Sequence, residues 1–312
     1  MNYFRLLTTT LISSAFCTQS VFAADKINVV ASFSILGDLV QQVGGEYVSV
    51  STLVGPNGDA HVYQPTPQDT IRLTKSQLFV VNGLGFEGWM DRLVTASHYK
   101  GKVITASTGI HPLAFNNTAE NADHNAEEHH DDEHAHGNQD PHAWHSIPNT
   151  VQYVQNITNS LSQIDPTHKA EYQSNANRYI QQLEQLDKTL VKEFAAIPTE
   201  QRKMITSHDA FGYLSARYQI TTIAPQGMST ESEASASDVA KIIQQIRKEK
   251  IKALFVENIS DPRLMQQISN ETDVAPGKEL FSDALSDKSG PVSTYLDMMR
   301  YNTAQILSAL KQ

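Results

Sequence analysis

The organisation of the chain is decided by residues 165–198, DPTHKAEYQSNANRYIQQLEQLDKTLVKEFAAIP. Asp165 and Pro166 are typical of a helix start, an N-cap followed by proline at the first helical position. Apolar and aromatic side chains then recur at steps of three and four, as in one helical stripe: Tyr172, Ala176, Tyr179, Leu183, Leu186, Leu190 and Phe194. Pro198 ends the pattern. The stretch predicts one helix over 166–197, about 48 Å long; a two-helix hairpin is the alternative, but no turn signal interrupts the stripe.

Short β-rich apolar runs alternate with helical patterns on both sides of this stretch. Strands are predicted at 27–31, 48–54, 78–81 and 103–106 before it, and at 203–206, 220–223 and 253–256 after it, with helices at 239–247 and 295–310. Such alternation favours parallel sheets covered on both faces. The predicted fold is therefore α/β, with two βα lobes (24–164 and 199–312) joined by one long rigid helix over 165–198.

Residues 1–23 have the features of a secretory signal peptide. Arg5 is followed by the apolar stretch 6–16 and then by small residues that suit cleavage after Ala23. The alternative is a lipoprotein signal that uses Cys17, but Phe16 stands where a small residue is expected. No other stretch is long and apolar enough to cross a bilayer. These features predict a periplasmic protein, secreted through a cleavable signal peptide and without stable membrane insertion.

Composition limits the classes of partner and of stabilising bond. The net charge is −10, and Cys17 is the only cysteine, so a chain without residues 1–23 has no disulfide and no thiolate ligand. An acidic balance argues against nucleic acid as a partner, because phosphate binding needs clustered Lys and Arg. It is compatible with a cation as ligand.

Residues 116–140 interrupt the alternation of strands and helices. They hold eight acids and five histidines, with no Lys, Arg or large apolar residue. Such a segment buries too little surface to offset its ordering entropy, which predicts a mobile loop. The loop is a candidate for weak accessory metal binding, and a solvated segment without a role is the alternative. Its candidate ligands are His124, His129, His130, His134 and His136.

Three further histidines stand at strand-to-loop junctions. His61 follows the strand at 48–54, His208 follows the strand at 203–206, and His142 lies in DPHAW, residues 140–144. Ligands of parallel sheets gather beyond the carboxyl ends of the strands, and imidazole is a favoured ligand of Zn²⁺, Cu²⁺ and Ni²⁺. Position alone does not show that the three side chains converge.

Several motifs resemble those of a known family. They are GDAHVYQPTP (58–67), NGLGFEGW (82–89), DPHAW (140–144), SHDAF (207–211), STESE (229–233) and FSDALS (281–286). Together they resemble the metal-specific solute-binding proteins of ABC importers, in the zinc and manganese branch. The resemblance implies two α/β lobes joined by a rigid helix. It also implies four metal ligands, which map onto His61, His142, His208 and Asp283. Ser146 departs from the family, in which many members carry Asp, and puts the local packing in doubt.

The ligand set implied by the resemblance bears on the metal. Manganese-type members are similar but place a carboxylate where His208 stands. Three imidazoles and one carboxylate suit Zn²⁺, whereas Mn²⁺ prefers more oxygen and is the weaker expectation. Some zinc-type members complete the site with water or another carboxylate, so water and Asp59 are alternatives to Asp283.

The expected function is capture of Zn²⁺ and its delivery to an ABC-type zinc permease in the inner membrane, by a monomeric protein that is not an enzyme. The alternative is a secreted zinc hydrolase with three histidines and water on the metal. The chain has neither H-E-x-x-H nor G-x-S-x-G.

The remaining motifs receive structural interpretations. His145 is either an extra ligand of the histidine-rich loop or a surface residue, and the surface position is the prediction. His98, His111 and His168 are also predicted to lie on the surface. Residues 83–88 fit G-x-G-x-x-G after a strand, but no acid follows at the end of the next strand, so a dinucleotide site is rejected. The glycines are predicted to be turn residues.

Overall fold

The structure, a computed structural model, describes residues 26–114, 139–231 and 234–312. The predicted signal peptide over 1–23, with Cys17, lies outside the described residues. So do most of the predicted loop over 116–140 and its five candidate ligands, His124, His129, His130, His134 and His136. Within the described ranges, no helix combines the length and the apolar character that a bilayer crossing requires.

The first lobe is built on one parallel sheet. Its elements are β1 (Ile27–Ala31), α1 (Ser34–Gly44), β2 (Val48–Thr52), α2 (Pro67–Thr74), β3 (Leu78–Val81), α3 (Met90–Ser97) and β4 (Lys102–Thr105). The strand order is β2-β1-β3-β4, and every pair is parallel. All four residues of β3 are buried, as expected for a central strand with helices on both faces.

Two helices joined by a short turn follow and lead into a second parallel sheet. The elements are α4 (Ile147–Ile164), α5 (Lys169–Ala195), β5 (Lys203–Ile205), α6 (Gly212–Tyr218), β6 (Thr221–Ile223), α7 (Ala236–Glu249), β7 (Ala253–Leu254), α8 (Arg263–Thr272) and α9 (Tyr295–Leu310). The strand order is β6-β5-β7, again parallel. The prediction of an α/β fold with two parallel-sheet lobes is confirmed.

The long helix α5 connects the lobes. It is continuous over 27 residues, and one 3₁₀ turn (Pro166–His168) precedes it, so the alternative of a two-helix hairpin within 166–197 is wrong. Its stripe faces the core, with Leu183 fully buried. Asn175 donates a hydrogen bond to the carbonyl of Val43 in the first lobe, and Asp187 pairs with Arg217 in the second. The helix is therefore fixed to both lobes by polar as well as apolar contacts.

Candidate metal centre

Four side chains converge between the two sheets. His61 Nε2 lies 3.3 Å from His142 Nε2 and 3.1 Å from Asp283 Oδ2, and His208 Nε2 lies 3.3 Å from Asp283 Oδ2. His142 Nε2 is 3.8 Å from Asp283 Oδ1, and one ligand atom from each residue lies within 4.8 Å of all the others. A tetrahedral zinc site with bonds of about 2.1 Å has edges of about 3.4 Å. The three shortest separations, 3.1–3.3 Å, are close to that edge.

The three histidines lie in loops, two of which follow strands. His61 follows β2 and the turn at 55–58, and its N–H donates to Asp59 Oδ1. His142 follows the bridge between Ala114 and Gln139, and His208 follows β5. The side chain of His61 is 6% exposed, whereas those of His142, His208 and Asp283 are fully buried. The open side of the site is therefore at His61.

Two further carboxylates stand behind the ligand candidates. Asp140 Oδ1 accepts a hydrogen bond from the backbone N–H of His142 at 2.9 Å and another from the ring Nδ1 at 2.8 Å. Glu257 Oε1 accepts a bond from the N–H of His208 at 2.9 Å, and its Oε2 lies 2.5 Å from Nδ1 of the same ring. The second contact is an ion pair rather than a well-aligned hydrogen bond. Both rings are thereby turned so that Nε2 faces the centre.

Sequence reasoning did not identify Glu257. It directly follows the apolar run at 253–256, so it stands at the carboxyl end of a parallel strand, where ligands and their supports gather. Its position after a predicted strand could have indicated a role at the site, but a single acidic residue after a strand is common. Its partner His208 lies 49 residues away in the sequence.

The segment that carries Asp283 is held by the first lobe. Trp144 Nε1 donates to the carbonyl of Ser282 at 3.0 Å, and the N–H of Leu285 donates to Ser34 Oγ at 2.9 Å. The N–H of Asn57 donates to the carbonyl of Leu285 at 2.9 Å. Asp283 is thus positioned by residues far from it in sequence.

The electrostatics of the centre couple His208 to its acidic neighbours. Burial acts to lower the pKa of His208, but the Glu257 and Asp283 carboxylates outweigh it and raise that pKa well above its usual value. Burial acts to raise the pKa of Asp283, but the imidazoles of His208 and His142 hold it well below its usual range. Without a metal, the centre is therefore an ion pair between protonated His208 and ionised Asp283.

Asp59, the sequence-based alternative to Asp283, lies outside the group of four. Its Oδ1 accepts the N–H of His61, and its Oδ2 accepts the hydroxyl of Thr230 at 2.6 Å. Both oxygens are engaged in holding the loop that carries His61. The structure brings Asp283, and not Asp59, to the three histidines.

The prediction that His145 lies on the surface is wrong. The 3₁₀ turn Ala143–His145 buries the ring completely, with its centroid 4.6 Å from that of Phe211. Burial lowers the pKa of His145 to about 4, so the ring is neutral at physiological pH. It is not one of the four converging residues.

The other structural predictions have mixed outcomes. His98 and His111 are exposed as predicted, whereas His168 is only partly exposed, because it pairs with Asp165 and stacks on Tyr47. Ser146, the departure from the family pattern, is buried at the start of α4.

The glycine-rich segment is confirmed as a turn. Gly83 and Gly85 have positive φ angles of 84° and 80°, which favour glycine. The turn encloses Glu87, whose carboxylate accepts bonds from the N–H groups of Asn82 and Gly83. Burial raises the pKa of Glu87. The segment therefore surrounds one of the chain's own carboxyl groups.

Residues 29–309 match the family described as zinc-uptake complex component A, periplasmic (ZnuA). The chain belongs to the ZnuA family. It is 30% identical to the iron-binding protein YfeA of Yersinia pestis, over 93% of this chain and 88% of the relative. It is 29% identical to the manganese ABC transporter substrate-binding lipoprotein ScaA of Streptococcus gordonii, over 99% and 98%.

A solved structure of the same architecture is the periplasmic zinc-binding protein TroA of Treponema pallidum. The TM-score is 0.80 at 28% identity, over 91% of this chain and 99% of TroA. As a ZnuA family member, the protein is the metal-binding, substrate-binding component of an ABC transporter.

Proposed function

We propose that the protein captures Zn²⁺ outside the cytoplasm and delivers it to an ABC-type permease in the inner membrane. The ion is cargo, and its ligands are His61, His142, His208 and Asp283. The observation that carries this proposal is the size and composition of the group. Its shortest separations of 3.1–3.3 Å lie close to the edge of a zinc tetrahedron.

The choice of zinc rests on the donor atoms, because the relatives are named for iron, manganese and zinc alike. Three nitrogen donors and one carboxylate suit a tetrahedral Zn²⁺ ion. Mn²⁺ favours oxygen donors and a larger coordination number. Asp283 as fourth ligand leaves no position for a catalytic water, and this argues against the zinc hydrolase considered from the sequence.

Further features of the proposal concern the rest of the chain. Residues 24–164 and 199–312 form the lobes and 165–198 the link between them, in a monomer. Residues 1–23 are removed as a signal peptide. The relative ScaA is named a lipoprotein, but in this chain Phe16 disfavours lipid attachment at Cys17. The histidines between 124 and 136 bind additional ions weakly.

The test replaces the donor that separates the zinc-type set from the manganese-type set. In His208→Glu, an anionic oxygen replaces a nitrogen, which costs Zn²⁺ more than Mn²⁺. We expect the ratio of Zn²⁺ to Mn²⁺ affinity to fall by about tenfold or more, about 1.4 kcal/mol, while Zn²⁺ stays the tighter ion. Paired competition titrations with a chromophoric chelator measure both affinities.

The matched control is His98→Glu, the same change at an exposed histidine outside the centre. It should leave both affinities unchanged. An unchanged ratio in His208→Glu would show that His208 does not bind the ion, and the proposed ligand set would be wrong.

A further inference from the structure

The two carboxylates behind the ligand histidines are bonded in different ways. Asp140 uses one oxygen, Oδ1, for both the N–H and the Nδ1 of His142. Glu257 uses two oxygens: Oε1 accepts a hydrogen bond from the backbone N–H of His208, and Oε2 lies in ion-pair contact with its Nδ1. Both acids are almost fully buried, with exposures of 5% for Asp140 and 1% for Glu257. The difference lies in geometry rather than in burial or charge.

We propose that Glu257 is a positioning residue for metal capture. It fixes the neutral ring of His208 in the tautomer that binds the ion, with the proton on Nδ1. The proposal rests on the proposed function, since it takes His208 as a metal ligand. An oxygen lone pair 2.5 Å from Nδ1 repels a bare nitrogen lone pair and attracts an N–H. The ring keeps its remaining proton on Nδ1, and Nε2 turns its lone pair to the metal.

A carboxylate is needed at Glu257 because two donors require two acceptors. The amide of Glu257→Gln offers one carbonyl oxygen and one NH₂ group. If the NH₂ faces Nδ1, it donates to that atom, and the ring proton moves to Nε2, where it blocks the metal. If the NH₂ faces the N–H of His208, two buried donors oppose each other and the loop is displaced. Either orientation damages the ligand.

Asp140 provides the matched control. The amide oxygen of Asp140→Asn can occupy the position of Oδ1 and accept both bonds from His142. This variant loses the same unit of charge behind a ligand histidine and retains the protonation form. The two amide variants therefore separate the loss of charge from the loss of the second acceptor.

The experiment is competition titration of Zn²⁺ with the full-length wild type, Glu257→Gln and Asp140→Asn. We expect affinity to fall ten- to a hundredfold in Glu257→Gln, the range found for outer-sphere partners of metal ligands. We expect a smaller loss in Asp140→Asn, because the amide oxygen still accepts both bonds from His142 and the tautomer is kept. Equal losses in the two variants, or no loss in Glu257→Gln, would overturn the proposal.

A double-mutant cycle with His208→Ala asks whether Glu257 acts through that ring. If it does, Glu257→Gln costs no further affinity once His208 is absent; losses that multiply instead would reject the proposal. Long-range ¹⁵N NMR of the zinc-loaded wild type should show His208 protonated on Nδ1 and metal-bound through Nε2. The reverse assignment would also reject it.

Two controls keep the outcome interpretable. Thermal melting of the metal-free variants reports folding. If Glu257→Gln does not fold, Glu257→Asp replaces it, because it keeps the charge but withdraws the carboxylate by about 1.5 Å. It should lose zinc affinity despite its charge, and wild-type affinity would reject the proposal. Failure of the wild type to bind zinc, or intact binding in His208→Ala, would instead reject the proposed ligand set.

Discussion

At the scale of the residue, the ring of His208 carries an additional proton in the metal-free centre, at the place where the ion is to bind. His208 Nε2 is 3.3 Å from Asp283 Oδ2. Its pKa is raised well above the ordinary value by the carboxylates of Glu257 and Asp283, against the opposing effect of burial. The imidazole is therefore protonated at neutral pH. Because a metal ligand must give up that proton, capture of the cargo is an exchange of ions.

This exchange predicts that metal binding releases a proton even at a pH where an ordinary imidazole is already almost entirely neutral and has almost no proton to release. At pH 7.5, about one proton should leave per Zn²⁺ bound. Calorimetry in buffers of different ionisation enthalpy measures it, because the observed heat then changes from buffer to buffer. As the pH falls, protons compete better and zinc affinity decreases, starting above pH 6.5 rather than below it.

The control for proton release is His208→Gln, which has no titratable group at this position. Its binding heat should depend much less on the buffer. Identical heats in all buffers for the wild type at pH 7.5 would contradict the protonated state of His208.

The sequence predicted the converging histidines better than their surroundings. His61, His142 and His208 were selected from their positions at strand-to-loop junctions, and the resemblance implied that they converge and added Asp283. The burial of His145 could not be inferred, because it depends on Phe211, which lies far along the chain and packs on the ring. A histidine three residues after a candidate ligand has the same sequence appearance whether it is exposed or enclosed.

At the scale of the element, the loop that carries Asp283 belongs to the second half of the sequence but is bonded to the first lobe. The N–H of Leu285 has Ser34 Oγ, at the start of α1, as its partner, in a buried hydrogen bond of 2.9 Å. Phe281, just before the loop, is held instead by Asn302 of α9. The change of attachment occurs within a few residues, immediately before the carboxylate.

The bond to α1 predicts the effect of Ser34→Ala. The N–H of Leu285 loses its acceptor in a buried place, which costs about 1–3 kcal/mol of the free energy of unfolding. Asp283 becomes less well fixed, and zinc affinity should fall by roughly threefold or more. Chemical denaturation of the metal-free protein and competition titration measure the two effects.

Ser97→Ala is the control for this change, because the buried hydroxyl of Ser97 donates only to the carbonyl of Val94 within α3. It should cost less stability and leave zinc affinity unchanged. A Ser34→Ala protein with wild-type affinity would show that this bond does not position the carboxylate.

The elements differed in how well the sequence predicted them. The stripe of α5 is apolar and regular, and the helix was found. The preceding helix α4, IPNTVQYVQNITNSLSQI, was missed, because its many Asn, Thr and Ser residues have low helix propensity and only packing on α1 and α5 compensates. Strand β7 was predicted over 253–256 but spans Ala253–Leu254, since an apolar run does not mark where the hydrogen-bonded ladder ends.

At the scale of the whole molecule, one apolar core runs through both lobes. It includes Leu36 of the first lobe, Leu183 of α5 and Met298 of α9, and a smaller cluster lies under α7 and α8. Because the core and the long helix are shared, relative movement of the lobes has to break packed contacts. The binding site is therefore expected to change little in shape when the ion arrives.

The acidic, histidine-rich insertion should be separable from this frame. Its ends meet at the antiparallel bridge between Ala114 and Gln139. Deletion of residues 118–136 leaves 115–117 and 137–138, a connection of about five residues that suits a hairpin. We expect one tight Zn²⁺ site to remain and only weaker sites to disappear, because the four proposed ligands lie outside the deleted stretch.

Titration calorimetry of the deleted and full-length proteins distinguishes these sites by affinity and stoichiometry. Replacement of 118–136 by a Gly/Ser segment of equal length controls for chain length and should behave like the deletion. Loss of the tight site in both variants would mean that the ligands were assigned to the wrong residues.

The attachment of the Asp283 loop also limits how such proteins can be recombined. A chimera that joins residues 1–198 of this chain to the second half of a relative would contain four donors on paper. Its fourth donor, however, would lie on a loop from the relative. That loop would have to form the hydrogen bonds with Trp144, Ser34 and Asn57 that hold the Asp283 loop in this chain. Exchange of halves therefore transfers the carboxylate without the residues that position it, and we expect such a chimera to bind its metal more weakly than either parent.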